Sequence, residues 1–441
     1  MKTPLKLSAL ALFSSFIILP SALLAQGSLT PPGAPAPTMK SLAQVEPRTP
    51  ISSAPFTISQ PGSYYLTTNV TISSGNAITI ATNGVTLDLN GFTINSSEAA
   101  PTSTGISLNS GLRDITISNG HITGGVTNNS GVYNGSGFQD SISYSGTKPA
   151  NVRVSGISIS GCLGSGISIG GGNSTLVKNC TVQTVGGFGV VASTVKSCVA
   201  LDCGSTAVIG DQVVDCQGQS NLGTGIEAGL IAQNCYGYGN SPSDAIDAQS
   251  AINCYGQNLG NGFGIFAASA ENCYGNANNA SGIYCQTAIN CRGSSGGNAE
   301  GIFASVTENC VGDSAGAGAG IEAFTALNCR GSSSGSGYGV NANTAQNCYG
   351  QSQSGYGLVG NNMAVGCYGS SSTGTGLWAY YANNCIGATS STSPSQFGVY
   401  AYDVAIGSYG SSGAGGVGLR AYIANSCDGT SLSVTFKNNM P

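Results

Sequence analysis

The chain has 441 residues, only 7% of them charged, while glycine alone fills 68 positions; this balance excludes a charge-rich disordered chain and an ordinary helical domain. Its 13 basic and 18 acidic residues give a formal charge of −5, with no basic run, so nucleic acid is excluded as a partner because phosphate neutralisation needs clustered Lys and Arg. A strongly anionic polysaccharide would also be repelled unless a divalent cation bridged it.

In chain order, Lys2 and Lys6 precede an apolar stretch from Leu7 to Leu24 and the small residue Ala25, the pattern of a signal peptide over residues 1–25. Its removal leaves 11 basic against 18 acidic residues, a formal charge of −7. No later stretch is apolar and long enough to span a bilayer, so the expected location is secreted, periplasmic or cell-surface. Residues 26–55 carry Pro31, Pro32, Pro35 and Pro37 without hydrophobic periodicity and read as a linker. From Phe56, alternating apolar residues bounded by Gly, Asn or Ser predict strands in Tyr65 to Ile72, Ala77 to Ile80 and Val85 to Ile94. Related phrases return at Ile115–Ile122 and Val152–Ile159, which predicts successive irregular coils over 56–160. Residues 124–150, with Tyr133, Phe138, Asp140, Tyr144 and Lys148, interrupt the pattern and are expected to form a long loop.

A ladder begins at Cys162. Cysteines follow at 180, 198, 216, 235, 254, 273, 291, 310, 329, 348, 367 and 385, each step being 18 or 19 residues; Ser408 then takes the cysteine place after a short excess near Ser393–Gln396, and Cys427 closes the series. The repeat reads Gly-Ile-x-Ala-x-x-Ala-x-Asn-Cys-x-Gly, as in Gly301-Ile-Phe-Ala304 leading to Asn309-Cys310-Val311-Gly312. So short a unit leaves no room for a strand plus a helix, so each repeat over 161–429 is one coil of two or three short strands in an all-β parallel solenoid. A six-residue sub-period, expected of left-handed hexapeptide helices, is absent. The tail 430–441 is a candidate cap, with Leu432–Phe436 placed to cover the open end.

Substitution patterns within the chain separate inside from outside. The first aliphatic place holds Ile226, Ile265, Ile302, Ile321, Val340 and Leu377 and is expected inward; the next place varies through Glu227, Phe266, Tyr284, Asn341, Trp378 and Arg420 and is expected outward. An inward Ala and an inward Cys three residues apart require a bend, for which the intervening Asn suits because it tolerates left-handed backbone and bonds to its copies above and below.

The phrase Gly62-Ser-Tyr-Tyr-Leu66, with Val85-Thr-Leu-Asp-Leu-Asn-Gly-Phe-Thr-Ile94 and Ile115-Thr-Ile-Ser-Asn-Gly-His-Ile122, resembles the opening coils of bacterial right-handed parallel β-helix proteins of the pectate-lyase-like class. The resemblance covers about residues 56–160 and implies a right-handed single-stranded parallel β-helix. That class spans lyases, glycosidases, epimerases, tailspikes and non-enzymatic surface proteins, so it implies fold more than activity. Its catalytic motifs do not carry over: there is no Asp-Asp, Gly-His-Gly or Arg-x-Lys of the polygalacturonase kind, and the only histidine is His121.

Three site hypotheses remain. Stacked thiols spaced about 4.8 Å and pointing the same way exceed the roughly 3.5–4.5 Å Cβ separation of a disulfide, and they diverge from a metal tetrahedron, so a free thiol core with no metal is expected; Cys203 and Cys285 lie off the ladder and could each pair with a ladder thiol. Carboxylates Glu227 and Asp247 on adjacent coils, with Glu322 further on, are candidate catalytic residues as a retaining-type pair, or candidates to share a Ca2+ ion; a solvated face is the plain alternative. Exposed Phe266, Tyr284, Phe303, Trp378 and Tyr400 are candidate ligand-binding residues, because rings along a rod match the apolar faces of sugars, although the same rings could simply stack on each other. The functional expectation is a monomeric protein that binds polysaccharide or cell-surface glycan without a required cofactor, with processing by a polysaccharide lyase- or glycoside hydrolase-like activity left open, against the alternative of a non-catalytic structural or adhesive rod.

Overall fold

The fold is built from 44 short strands and, among the described residues, no helix. The structure, a computed structural model, describes residues 46–440; the expected signal peptide and most of the expected linker lie outside them. The strands form a parallel β-solenoid of about 20 turns, with a single antiparallel hairpin on its side.

The early strands stack in register. Val85 pairs with Ile115 and Ile115 with Val152, while Ile94 pairs with Ile122 and Ile122 with Ile159, so the three similar phrases lie directly over one another. Two boundaries differ from expectation. The ladder already includes Thr49–Ile51, paired with Tyr64–Leu66, so the fold starts inside the segment read as a linker. Of residues 124–150, only a hairpin of Thr127–Asn129 and Val132–Asn134 leaves the stack; Phe138 is fully buried, and Asp140–Tyr144 is a solenoid strand paired with Thr104–Leu108. The expected long loop is therefore mostly a coil, because Ile142 and Phe138 supply inward residues on either side of a polar stretch that hides their alternation. The hairpin is fastened down by Tyr133, whose hydroxyl lies 3.0 Å from Asp202 Oδ1 and accepts from Asn221 Nδ2 at 2.8 Å.

Each regular coil has three straight segments. In the coil of Ile302–Glu308, Ile302 and Ala304 face inward, the ladder skips Ser305, and Thr307 faces inward again. Asn309 then adopts φ 53, and the same left-handed place is filled by Asn179, Asn234, Asn253, Asn272, Asn290, Asn328, Asn347 and Asn384, or by Ser197, Asp215 and Gly366. This turn brings Cys310 inward three residues after Thr307, as the repeat requires, and Val311–Ser314 forms the third side. Amide bonds tie the corner between turns, as from Asn253 Nδ2 to Asn234 Oδ1 at 3.2 Å and from Asn347 Nδ2 to Asn328 Oδ1 at 3.2 Å.

The core is a set of columns. Ile265, Ile283, Ile302, Ile321 and Val340 are all fully buried in register, each contributing roughly 1.5–3 kcal/mol. All 16 cysteines are buried and none is in a disulfide, Cys203 and Cys285 included. Cysteine serves two needs at the bend: its small apolar body fills the corner, and its sulfur satisfies the backbone. Cys310 Sγ lies 3.2 Å from Glu308 O and 3.3 Å from Ala288 O, and it accepts the Cys291 N–H at 3.5 Å. Ser408 reproduces this pattern, accepting from Cys385 N at 3.2 Å and donating to Ile406 O at 3.1 Å, which explains why serine alone replaces cysteine.

Two glycines per coil set the closest approach between sides. A Cβ on Gly312 would lie 2.0 Å from Gly320 O, and one on Gly320 would lie 2.3 Å from Ser332 N. At the far end, Leu432–Asn438 pairs in parallel with Val417–Asn425 and extends the stack by one more rung. It lies along the strand edge of the last full coil: Leu432 and Val434 are partly buried against the core, while Phe436 stays exposed.

Candidate functional site

The outward column next to the buried aliphatic one runs in unbroken register through Glu227, Asp247, Phe266, Tyr284, Phe303, Glu322, Asn341, Val359, Trp378, Tyr400 and Arg420. All eight candidate site residues therefore share one face, because each follows an inward Ile, Val or Leu by one residue and the side-chain period of a strand is two.

The column is not one continuous track. A cleft of about 490 Å3 opens over five of its turns, lined by Glu227, Asp247, Phe266, Tyr284 and Phe303. Gln249, Gln286 and Ser305, each two residues further along its strand, complete the lining. Sequence reasoning missed these three; the alternation that placed the first column outward would have placed them outward too, had it been carried one step past the inward Ala. Glu322 belongs to a separate cleft of about 310 Å3 with Phe303, Phe324 and Asn341. It stands four turns from Asp247, roughly 19 Å along the stack, so it does not join the acidic pair. Trp378 and Tyr400 lie beyond Val359, which is buried; Tyr400 packs on Phe397, with rings 5.0 Å apart, and Arg420 lies 5.2 Å from its ring.

The rings of the cleft stack on one another. Tyr284 and Phe303 lie 5.0 Å apart at 8°, Phe266 and Tyr284 5.6 Å apart at 20°, and Phe263 flanks both Phe266 and Tyr284. Rings packed this way cover part of each other's faces and present their edges outward. The rungs beyond the two ends of the stack are Asp247 on one side and Glu322 on the other.

Glu227 and Asp247 occupy consecutive rungs, about 4.8 Å apart along the stack. Burial raises the Glu227 carboxyl above the usual range and the charge of Asp247 raises it further; burial alone raises Asp247. A third carboxylate, Asp244, accepts the Phe263 N–H at 2.8 Å, and burial above all pushes it up to about 6, with Asp247 adding to the effect. Neither Glu227 nor Asp247 is within ion-pair distance of a cation in the described structure. Cys285 replaces the usual inward Ala beneath the cleft; burial pushes its thiol up to about 12, so it is no thiolate nucleophile near neutral pH. Among the described residues no three His, Cys, Asp or Glu side chains gather to hold a metal ion, so a Ca2+ here would rest on two carboxylates.

A broader groove of about 830 Å3 follows the asparagine corner beside Tyr236, Tyr255, Tyr274 and Arg292. Its rings are also mutually stacked, Tyr236 and Tyr255 at 5.2 Å and 6°, and its amides bond to each other, so this column spends its polar groups on joining turns.

No family model and no curated protein matches the chain. Among solved structures, similarity is found to the catalytic domain of a GH87 alpha-1,3-glucanase in complex with nigerose, at 11% identity and a TM-score of 0.29, covering 89% of this chain and 62% of that one. A second match is the A-module of an Azotobacter vinelandii mannuronan C-5 epimerase, at 9% identity and a TM-score of 0.17, covering 86% of this chain and 91% of that one. The chain thus spans less than two thirds of the glucanase domain, and likenesses this slight transfer neither activity nor substrate.

Proposed function

We propose that this chain is an exported parallel β-helix protein of the pectate-lyase-like class that binds polysaccharide in the cleft of Glu227, Asp247, Phe266, Tyr284 and Phe303. The observation that carries the reading is the cleft itself: a concave surface with three aromatic rings, two carboxylates, two amides and two hydroxyls, those of Tyr284 and Ser305, all on the stack. Apolar ring surface suits the C–H faces of a sugar, and the polar groups suit its hydroxyls. The Lys2, Lys6 and Leu7–Leu24 pattern supports export, which places the cleft where extracellular glycans occur. The chemistry favours binding over turnover, because the acidic pair is accompanied by no histidine, arginine or lysine in the cleft.

Affinity electrophoresis and a glycan array test this. Phe303→Ala and Tyr284→Ala should each weaken retention at least tenfold, whereas Trp378→Ala, outside the cleft, should leave it unchanged. A depolymerisation screen against neutral and uronic polysaccharides, with and without calcium, tests turnover. The structural-rod reading is favoured by one specific observation, the ring pairs that stack on each other away from the cleft, such as Tyr349 and Tyr368 at 5.0 Å and 6°. It would prevail if the array showed no glycan retained by the intact protein.

A further inference from the structure

The cleft is one-sided in charge. Glu227 and Asp247 stand on consecutive rungs at one end, and Asp244 lies behind Asp247 close enough to be perturbed by its charge. No Lys, Arg or His lines the cleft. Like charges directly opposite on neighbouring strands destabilise a sheet, and partial burial adds to that cost. Two other carboxylates of the solenoid meet a cation: Asp313 meets Arg292 at 3.3 Å, and Asp88 meets Arg48 at 3.2 Å. Among the described residues no cation pairs with Glu227 or Asp247.

The ring stack points the same way independently. Its first member, Phe266, is the rung directly after Asp247, so an aromatic ring adjoins the acidic pair. The negative face of an aromatic ring attracts a cation, and the attraction strengthens where water is partly excluded. A ligand group seated over Asp247 and the adjoining Phe266 is thus favoured by a carboxylate and a ring together if it is cationic, and by neither charge term if it is neutral.

We infer that the polysaccharide taken by this cleft carries amino groups, as a glucosamine polymer does, with ammonium groups held at Glu227 and Asp247 and sugar rings running over Phe266, Tyr284 and Phe303. This inference rests on the reading of the cleft as a polysaccharide site. A primary ammonium donates three hydrogen bonds and matches paired carboxylates, whereas its acetylated form carries no charge. One sugar in an extended chain advances about as far as one turn of the solenoid, so successive sugars meet successive rungs. The formal charge of −7 without the leader adds long-range attraction for such a polymer.

The test measures binding of three oligomers of equal length by calorimetry near pH 6: fully deacetylated glucosamine, N-acetylglucosamine and cello-oligosaccharide. The expected result is at least tenfold preference for the glucosamine oligomer, removed by the double variant Glu227→Gln and Asp247→Asn. The control Asp403→Asn with Asp428→Asn removes the same charge elsewhere and should keep the preference. Equal binding of all three oligomers, weakened by Phe303→Ala, would overturn the amine assignment and leave the polysaccharide reading standing. A preference that survives in the double variant, or vanishes equally in the control, would overturn it as a bulk charge effect. No binding of any oligomer would overturn both.

Discussion

Replacing Gly312 by alanine adds one methyl group at the tightest point of the coil. The new Cβ would sit 2.0 Å from Gly320 O, 2.7 Å from Gly320 C and 2.5 Å from Ile321 Cγ1. Two of these atoms are backbone held by the ladder, since Gly320 O accepts the Ile302 N–H at 3.0 Å, so the clash cannot be relieved by turning a side chain. Relief requires the two sides of the coil to move apart by more than an ångström, which breaks contacts on both neighbouring turns. Overpacking that flexible side chains can absorb costs about 1–3 kcal/mol; with backbone on the far side, the expected cost is about 3 kcal/mol or more. Gly296→Ala is the matched control: its Cβ would approach nothing closer than Asn278 O at 3.3 Å, and a change within about 1 kcal/mol is expected. Guanidinium unfolding of both variants gives the difference, and hydrogen exchange should localise the loss to the turns between Ile302 and Ser333. If Gly312→Ala is no less stable than Gly296→Ala, the two glycines of the repeat are not there for close approach and the account of the coil is wrong.

Three further outcomes follow from the core columns and the cleft. Ser295 Oγ is buried without a hydrogen-bond partner, and Ala277 holds the same place one turn earlier, so Ser295→Ala should raise stability by about 1 kcal/mol in thermal unfolding. Cys310→Ser should be nearly neutral, following Ser408, whereas Cys310→Val should cost about 2 kcal/mol because it leaves Cys291 N–H without an acceptor and crowds the bend. Asp244 has a folded-state pKa of about 6, raised from its ordinary 3.8, so the stability it contributes is complete below about pH 4 and is lost as pH rises through 6. At 1.36 kcal/mol per unit that amounts to about 3 kcal/mol, reduced to about 2 because the group is not fully enclosed. Asp244→Asn, which keeps the acceptor for Phe263 N–H, should therefore be more stable than the parent at pH 7 by about that amount and indistinguishable from it near pH 4; equal stability at pH 7 would refute the assignment.

What the sequence disclosed and what it hid divide along a physical line. The stack was legible because identical residues recur where identical neighbours lie above and below: the cysteine spacing, the Ile column and the left-handed Asn each follow from a coil meeting its own copy. The outward column was legible for the same reason, and it named five residues of the cleft before the cleft was seen. Concavity was not legible. It depends on how the strand bends at Ser305 and on the depth left by small side chains at Ala268 and Gly229, none of which carries a chemical signature. The role of Gly312 and Gly320 was hidden too, since their task is to let backbone approach backbone across the coil. In the irregular coils, Ile142 was missed because only a short alternation surrounds it, and Thr49–Ile51 because a three-residue strand with Pro50 at its centre reads as linker.

The contrast between the two outward columns bears on which of them is built for a ligand. At the asparagine corner every position that packs is filled by a group that its neighbour can satisfy: amide on amide, tyrosine on tyrosine, arginine over tyrosine, as with Arg330 5.3 Å from the Tyr349 ring. That is the arrangement expected where side chains serve the stack alone, because each rung supplies the partner of the next. The column through Glu227 obeys the same logic from Phe266 to Phe303 and departs from it on either side: at Glu227 and Asp247, where carboxylate follows carboxylate, and at Glu322, whose carboxyl is raised by burial and by the charge of Glu300. Glutamine or serine in place of Glu227 or Asp247 would satisfy the sheet better, and both residue types are abundant one column away, at Gln249, Gln286 and Ser305. Among the described residues no cation pairs with Glu227 or Asp247, which is why this column, rather than the asparagine corner, is the one proposed to take a ligand.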